Sequence, residues 1–415
     1  MKTLALRDDE KTGLMNDASV STLTFYSGRA SESWLRTRVG EIVRQNPVLA
    51  GRLVSSPAGP QVEYCEDPGG TASALCFAVV DGPAAAAIVP ATGYDDLAMA
   101  CKPYTAKSGR ECLDKPASDA AGSLFRVTLF QQQDGAHKSA LLVSMPHVLG
   151  DAHTFYRLYA MLDKSANPAE LSARLCWERQ RDFLTRKAGL FDADAVACIQ
   201  SAAAGEGFAR NFKTPVKHVL YDVDAKCIEE RKRVESTRHP DVTWVSTNDI
   251  ITAWYFAQRA AAANLMVMNL RPRLRELMNL NDENMGNYQD SLLYGPLDGT
   301  LPHQIRLSLS SQATSGVLKG FSMLPGADEL RQGGTALVTN WSCFYVEVEL
   351  GECQHLMHMP IYGADCGVGG CLLVFNKCCG QLSALHRARN HDAGLLHTLE
   401  ASPFLPFTPS LTHTT

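Results

Sequence analysis

The sequence predicts an α/β (α+β) chain of two domains, and three observations carry that expectation. Strand-like apolar runs alternate with stretches of helical periodicity along most of the chain. At 415 residues the chain exceeds what one hydrophobic core usually serves. The stretch Ser139 to Leu162, SALLVSMPHVLGDAHTFYRLYAML, reads as strand, tight turn and helix in direct succession. The expected division is a first domain over residues 1–175 carrying that stretch, a crossover over 176–217, and a second domain over 218–415.

Within the stretch, Ala140 to Met145 suits a buried strand, and Phe155, Leu158, Tyr159 and Leu162 recur at helical spacing. Pro146 withholds an N–H and ends the ladder, and Gly150 is expected to adopt backbone angles that other residues resist. His147 and Asp151 fall in the turn. Histidine can take and return a proton near neutral pH, so an imidazole held at a strand end is a candidate general base. Asp151 also has a plainer reading, as N-cap of the following helix.

With 45% apolar and 20% charged residues, the composition is that of an ordinary globular protein. Thirty-nine basic against 44 acidic side chains give a net charge of −5, so nucleic acid and anionic membranes are not expected partners. No apolar run reaches the length of a membrane span, and MKTLALRDDEK offers too short an apolar patch for a signal-peptide core. The 13 cysteines are odd in number and never spaced C-x-x-C, so neither a disulfide framework nor a zinc knuckle is expected. A reducing, cytoplasmic setting fits them, with Cys378 and Cys379 as packing residues rather than a redox pair.

Taken in order, Glu32 to Arg44 carries Leu35, Val39, Ile42 and Val43 on one helical stripe, stopped by Asn46-Pro47. QVEY, CFAVV and SLFRVTLFQ read as strands, the last turning through Asp134-Gly135 into the central strand. In the second half, VLYDVDAKCIEERKRV reads as strand then helix. Asn248 or Asp249 is expected to cap a helix burying Ile250, Ile251, Trp254 and Ala257. LMVMNLRPRL reads as a strand ending in Arg271 and Arg273, which would point the same way. ALVTNW and Phe344 to Leu350 read as further strands, and Cys371–Phe375 with Gln381–Leu385 as a hairpin around Cys379-Gly380. There is no G-x-S-x-G elbow, P-loop, dinucleotide fingerprint or fixed-period repeat.

Several of these stretches line up with one family. RVTLF followed by a strand ending PHVLGDA resembles the HxxxDG region of the BAHD acyltransferases and their wider superfamily of chloramphenicol acetyltransferase-like and condensation domains. IVRQNPVLAGRLV is similar to that superfamily's early helix and strand. STNDIITAW, MNLRPRL and GNY resemble its later segments in the same order. PIYGADCGVGG, Pro360 to Gly370, resembles the BAHD motif DFGWG, retaining Asp365, Gly367 and Gly369 but carrying Cys366 and Val368 in place of its aromatic residues. Pro146 stands where many members carry a first histidine, and Ala152 replaces a glycine.

The resemblance implies two chloramphenicol acetyltransferase-like domains, each a mixed sheet with flanking helices, meeting at a channel with His147 at its middle. It implies transfer of an acyl group from acyl-CoA, a co-substrate rather than a bound cofactor, to a small alcohol or amine by a monomeric enzyme. His147 would be the general base, Asp151 would pair with Arg271, and Arg273 would be the fallback partner. Trp341, similar to the family's TSW tryptophan, would donate to the oxyanion; packing in the core is its alternative. Ser246 and Thr247 would meet the pantetheine or phosphate end of CoA, and Asp365, Gly367 and Gly369 would be structural.

Three rival readings stand beside this one. The fold could serve binding without catalysis, or the acyl donor could ride on a carrier protein. Metal-dependent hydrolysis could use His147, Asp151 and His153, or Cys353, His355 and His358. No metal site is expected.

Overall fold

In the computed structural model the described residues are 1–7, 10, 13–57, 59–69, 72–114, 123–132, 139–168, 216–310, 334–362, 370–389 and 396–409. Two mixed sheets with flanking helices dominate. The first runs in the order β12 (His355–Pro360), β2 (Ser19–Tyr26), β7 (Ser139–Pro146), β6 (Arg126–Gln131), β5 (Phe77–Val80). Its pairs are antiparallel except β5 with β6. A small sheet of β1 (Lys2–Ala5), β4 (Gln61–Tyr64) and β3 (Arg52–Val54) flanks it in the chain.

The second sheet has seven strands. Their order is β10 (Gln289–Tyr294), β9 (Ala263–Asn269), β11 (Thr335–Asn340), β13 (Cys371–Cys378), β14 (Gln381–Arg389), β8 (Val216–Val223), β15 (Phe404–Pro406). β11 runs parallel to both of its neighbours, and the remaining pairs are antiparallel.

Every residue of β7 is buried, as its continuous apolar run requires of a central strand covered on both faces. The helix Glu32–Gln45 forms on the expected stripe; Ser31 caps it, and Leu35, Val39, Ile42 and Val43 turn inward. These residues join Leu23 and Phe25 of β2 with Phe155 and Leu158 of the helix Ala152–Ala160 in a first core. A second core lies under the helix Thr247–Arg259, from Ile250, Ile251 and Trp254 to Met266, Val338 and Leu372.

The two cores meet across one sheet. Successive side chains of a strand face opposite ways, so Leu372, Val374 and Ala384 enter the second core while Leu373, Phe375 and Leu385 enter the first.

Several expectations need correction. Phe344 to Leu350 is no strand: it turns, and only Leu350 bridges to Cys353. The strand lies further on, at His355–Pro360, and adds to the edge of the first sheet although it follows most of the second half in sequence. Arg271 and Arg273 are not on a strand, because β9 stops at Asn269 and Pro272 lies in the first turn of the helix Arg271–Met278. Ser246, not Asn248 or Asp249, caps the helix Thr247–Arg259; Asp249 is the reciprocal partner in a capping box. The expected crossover lies outside the described residues up to 215, and residues 216 and 217 already belong to β8. Among the described residues no helix is long and apolar enough to cross a membrane.

Candidate active site

β7 delivers its last residue, Pro146, to a single tight turn, His147–Leu149. The turn is fixed by its backbone: His147 N–H donates to Ala18 at 3.0 Å, and Gly150 N–H donates to His147 at 3.2 Å. Gly150 is there for space rather than for its angles. Its φ of 173° is ordinary extended backbone, but a Cβ would lie 2.7 Å from Cβ and Cγ2 of Thr154.

The His147 ring is half-buried and held on both sides. Asn287 Oδ1 lies 3.1 Å from Nδ1 and the Gln289 amide nitrogen 3.4 Å from Nε2. The Asn287 NH₂ donates to the carbonyl of His147 at 2.9 Å and to that of Val148 at 3.3 Å, which leaves Oδ1 as the acceptor facing the ring. Nδ1 therefore carries the proton, and the lone pair sits on Nε2. Burial pushes the His147 pKa below its usual value, against smaller upward pulls from a backbone hydrogen bond, Asp151 and Asn287. The ring is thus neutral at pH 7 and able to accept a proton.

Asn287 is itself braced from the chain's first residues. Its NH₂ lies 3.4 Å from Glu10 Oε1, the guanidinium of Arg7 donates to its carbonyl, and Arg7 pairs with Glu10 at 3.3 Å. Sequence reasoning missed this support. GNY was noticed as a motif, but nothing local links it to residues 7 and 10.

Asp151 and Arg271 are 2% and 1% exposed. Two guanidinium nitrogens meet the carboxylate at 2.7 and 3.2 Å, the fork geometry of a strong charge-assisted pair. The carboxylate also accepts from Thr154 N–H at 3.0 Å and Tyr288 N–H at 3.0 Å. Asp151 is therefore both the helix N-cap and the arginine's partner, and no hydrogen bond joins it to His147. Burial by itself would raise this carboxyl, but the charge and hydrogen bonds of Arg271 outweigh burial and hold it low. Arg271 also donates to the carbonyls of Asn284 and Gly286, so one guanidinium ties the histidine turn to the loop bearing Asn287.

Trp341 is buried, with its ring near Tyr156 at 6.3 Å and Tyr362 at 5.8 Å, in the first core. Ser246 accepts from Asp249 N–H at 3.1 Å as a cap. Thr247 lines a cleft of about 450 Å³ with Lys377, whose ammonium is already paired with Asp222 at 2.9 Å. Arg273 does not reach Asp151. It lines a separate cleft of about 590 Å³ with Asn248, Met266 and Asn269, and among the described residues it has no ion-pair partner. Asp365, Gly367 and Gly369 lie outside the described residues.

Among the described residues, neither cluster weighed for metal hydrolysis brings three ligand atoms together. His358 spends Nδ1 on Thr24 at 2.8 Å and Nε2 on Tyr156 at 2.9 Å, which leaves no lone pair for an ion. His153 is pushed down to about 4, chiefly by burial.

The two-sheet architecture is a chloramphenicol acetyltransferase-like fold, shared with the following solved structures. TRI101 of F. graminearum, complexed with coenzyme A and deoxynivalenol, superposes with a TM-score of 0.61 at 11% identity, over 96% of this chain and 98% of that one. Vinorine synthase gives 0.60 at 14% identity, over 94% and 91%. The first condensation domain of the CDA synthetase gives 0.54 at 12% identity, over 95% and 92%. No protein-family profile matches the sequence, and no curated protein sequence matches it.

Proposed function

We propose that this protein transfers an acyl group from acyl-CoA to a hydroxyl or amine of a small acceptor, with His147 as general base. The observation that carries the reading is the orientation of the ring at a strand-end turn, with Nδ1 bound to Asn287 and the lone pair on Nε2, where the Gln289 amide nitrogen lies 3.4 Å away. A thioester carbonyl is already electrophilic, so the protein has to hold two reactants together and remove one proton. Nε2 takes that proton as the acceptor attacks and returns it to the departing CoA thiolate; no acyl-enzyme forms. The likeness to TRI101 bound to coenzyme A supports the choice of donor. The guanidinium of Arg273 in the 590 Å³ cleft, without an ion-pair partner among the described residues, is a candidate for the anionic end of CoA. In this reading the Trp341 indole N–H serves the oxyanion, Arg271 and Asp151 position the turn, and Thr247 is a weaker contact for the donor.

The test is His147→Ala assayed with a panel of acyl-CoAs and hydroxyl or amine acceptors. Wild-type turnover should exceed that of the variant by about 10²–10⁴-fold, with acyl-CoA binding retained. Equal turnover would remove the base from the mechanism. The likeness to a condensation domain favours one alternative, a donor carried on a phosphopantetheine arm. Preference for a loaded carrier protein over free acyl-CoA would select it.

A further inference from the structure

We infer that Glu235, His239 and His303 form a zinc-class metal site on the outer layer of the second sheet, independent of the proposed acyl-transfer chemistry. Glu235 and His239 stand four residues apart at the end of the helix Ala225–Arg238, where His239 N–H still donates to Glu235 at 3.0 Å. His239 is the residue that ends the helix, one turn beyond Glu235. His303 comes from the first turn of the helix Pro302–Ser310. Its imidazole stacks on that of His239, with ring centroids 3.6 Å apart at 27°.

One ligand atom from each of the three residues lies within 4.8 Å of the others. His303 Nδ1 and Glu235 Oε2 are 3.3 Å apart, a hydrogen-bonded pair that a bound ion would replace. Tetrahedral zinc with bonds near 2.0–2.1 Å separates its ligands by about 3.3 Å, so one pair already has the spacing of a bound ion. His239, at the helix end, closes the remainder by side-chain rotation. The Glu235 and His303 side chains are only 13% and 15% exposed. A divalent ion would take the Glu235 carboxylate and the two imidazoles as ligands once the rings part from their stack, leaving its fourth position to water.

The site would pin the helix Pro302–Ser310, one turn before Arg306 grips Asp249 at 2.9 Å. Asp249 is half of the capping box that starts the helix Thr247–Arg259. The ion is thereby a brace for the layer covering the second core.

Chelator-treated protein titrated with Co²⁺ is the test. Wild type should bind one equivalent with visible d–d absorption and no intense near-UV thiolate band. Zn²⁺ should displace it and raise the thermal midpoint by several degrees. His303→Ala and His239→Gln should each lose both the visible absorption and the rise, while Cys65→Ser keeps them. Should His303→Ala fail to fold, His239→Gln at the helix end decides alone. Equal cobalt binding by wild type and His239→Gln, a thiolate band, or no binding at all would overturn the site.

Discussion

Asn287 decides what His147 can do, because it fixes which ring nitrogen holds the proton. Burial depresses the His147 pKa, and the Asn287 hydrogen bond pulls it partly back up. In the proposed reaction His147 acts as a base and must be unprotonated, so activity should fall as pH drops through that pKa. Asn287→Ala should move the acid limb of kcat/KM to lower pH, while Asn287→Asp, which adds a negative charge, should move it higher. The plateau of the alanine variant should fall about tenfold, the equivalent of one hydrogen bond near 1.4 kcal/mol. An acid limb that stays in place in both variants would separate Asn287 from the base. His147 itself was legible in the sequence, since a proline-ended apolar run followed by a histidine is a local pattern. Asn287 was not, because its contacts join residues 140 and 277 positions away in the chain.

Two elements depend on the buried pair. Asp151 starts the helix Ala152–Ala160, and Arg271 holds it from the first turn of the helix Arg271–Met278. Removing either partner leaves the other's charge buried and should cost about 3–5 kcal/mol. The double variant Asp151→Asn with Arg271→Met should cost clearly less than the sum, since no lone charge remains. Urea midpoints of the four proteins give the coupling, and strict additivity would contradict a shared site. The sequence offered the pair only through family resemblance. Its periodicity puts Arg271 on a strand, because LMVMN runs into Leu270 without a break, whereas Pro272 lies in the first turn of a helix there. Gly150 is required for space and not for its angles: the neighbour that forbids a side chain is Thr154, in the first turn of the next helix.

Across the whole molecule, β13 and β14 give one face to each core, so the two halves should unfold together. Calorimetry should show one transition, and Phe375→Ala, costing about 3–5 kcal/mol, should lower it without splitting it. Two resolved transitions would mean the cores are independent. Acid should weaken the fold before its carboxylates titrate. His147, His153 and His358 all have folded pKa values below the ordinary 6.5, so the unfolded chain binds more protons. Their contribution is fully present above about pH 6.5 and is lost as pH falls, down to about 4 for His153. Urea midpoints from pH 7 to 4 should decline along that window, and His153→Gln should flatten the decline.

By itself the sequence determined the local pieces: the buried β7, the stripe of the helix Glu32–Gln45, the closing hairpin and the histidine at a strand end. Each follows from side chains within a few residues, where periodicity, proline and capping act. Tertiary structure alone decided that His355–Pro360 completes the first sheet and that Arg271 reaches Asp151 from a helix start. It alone decided that residues 7 and 10 brace Asn287, and that Glu235, His239 and His303 converge. Those outcomes depend on which strand edges and charges remain unsatisfied once the chain collapses, and that is a property of the assembled sheets rather than of any local stretch.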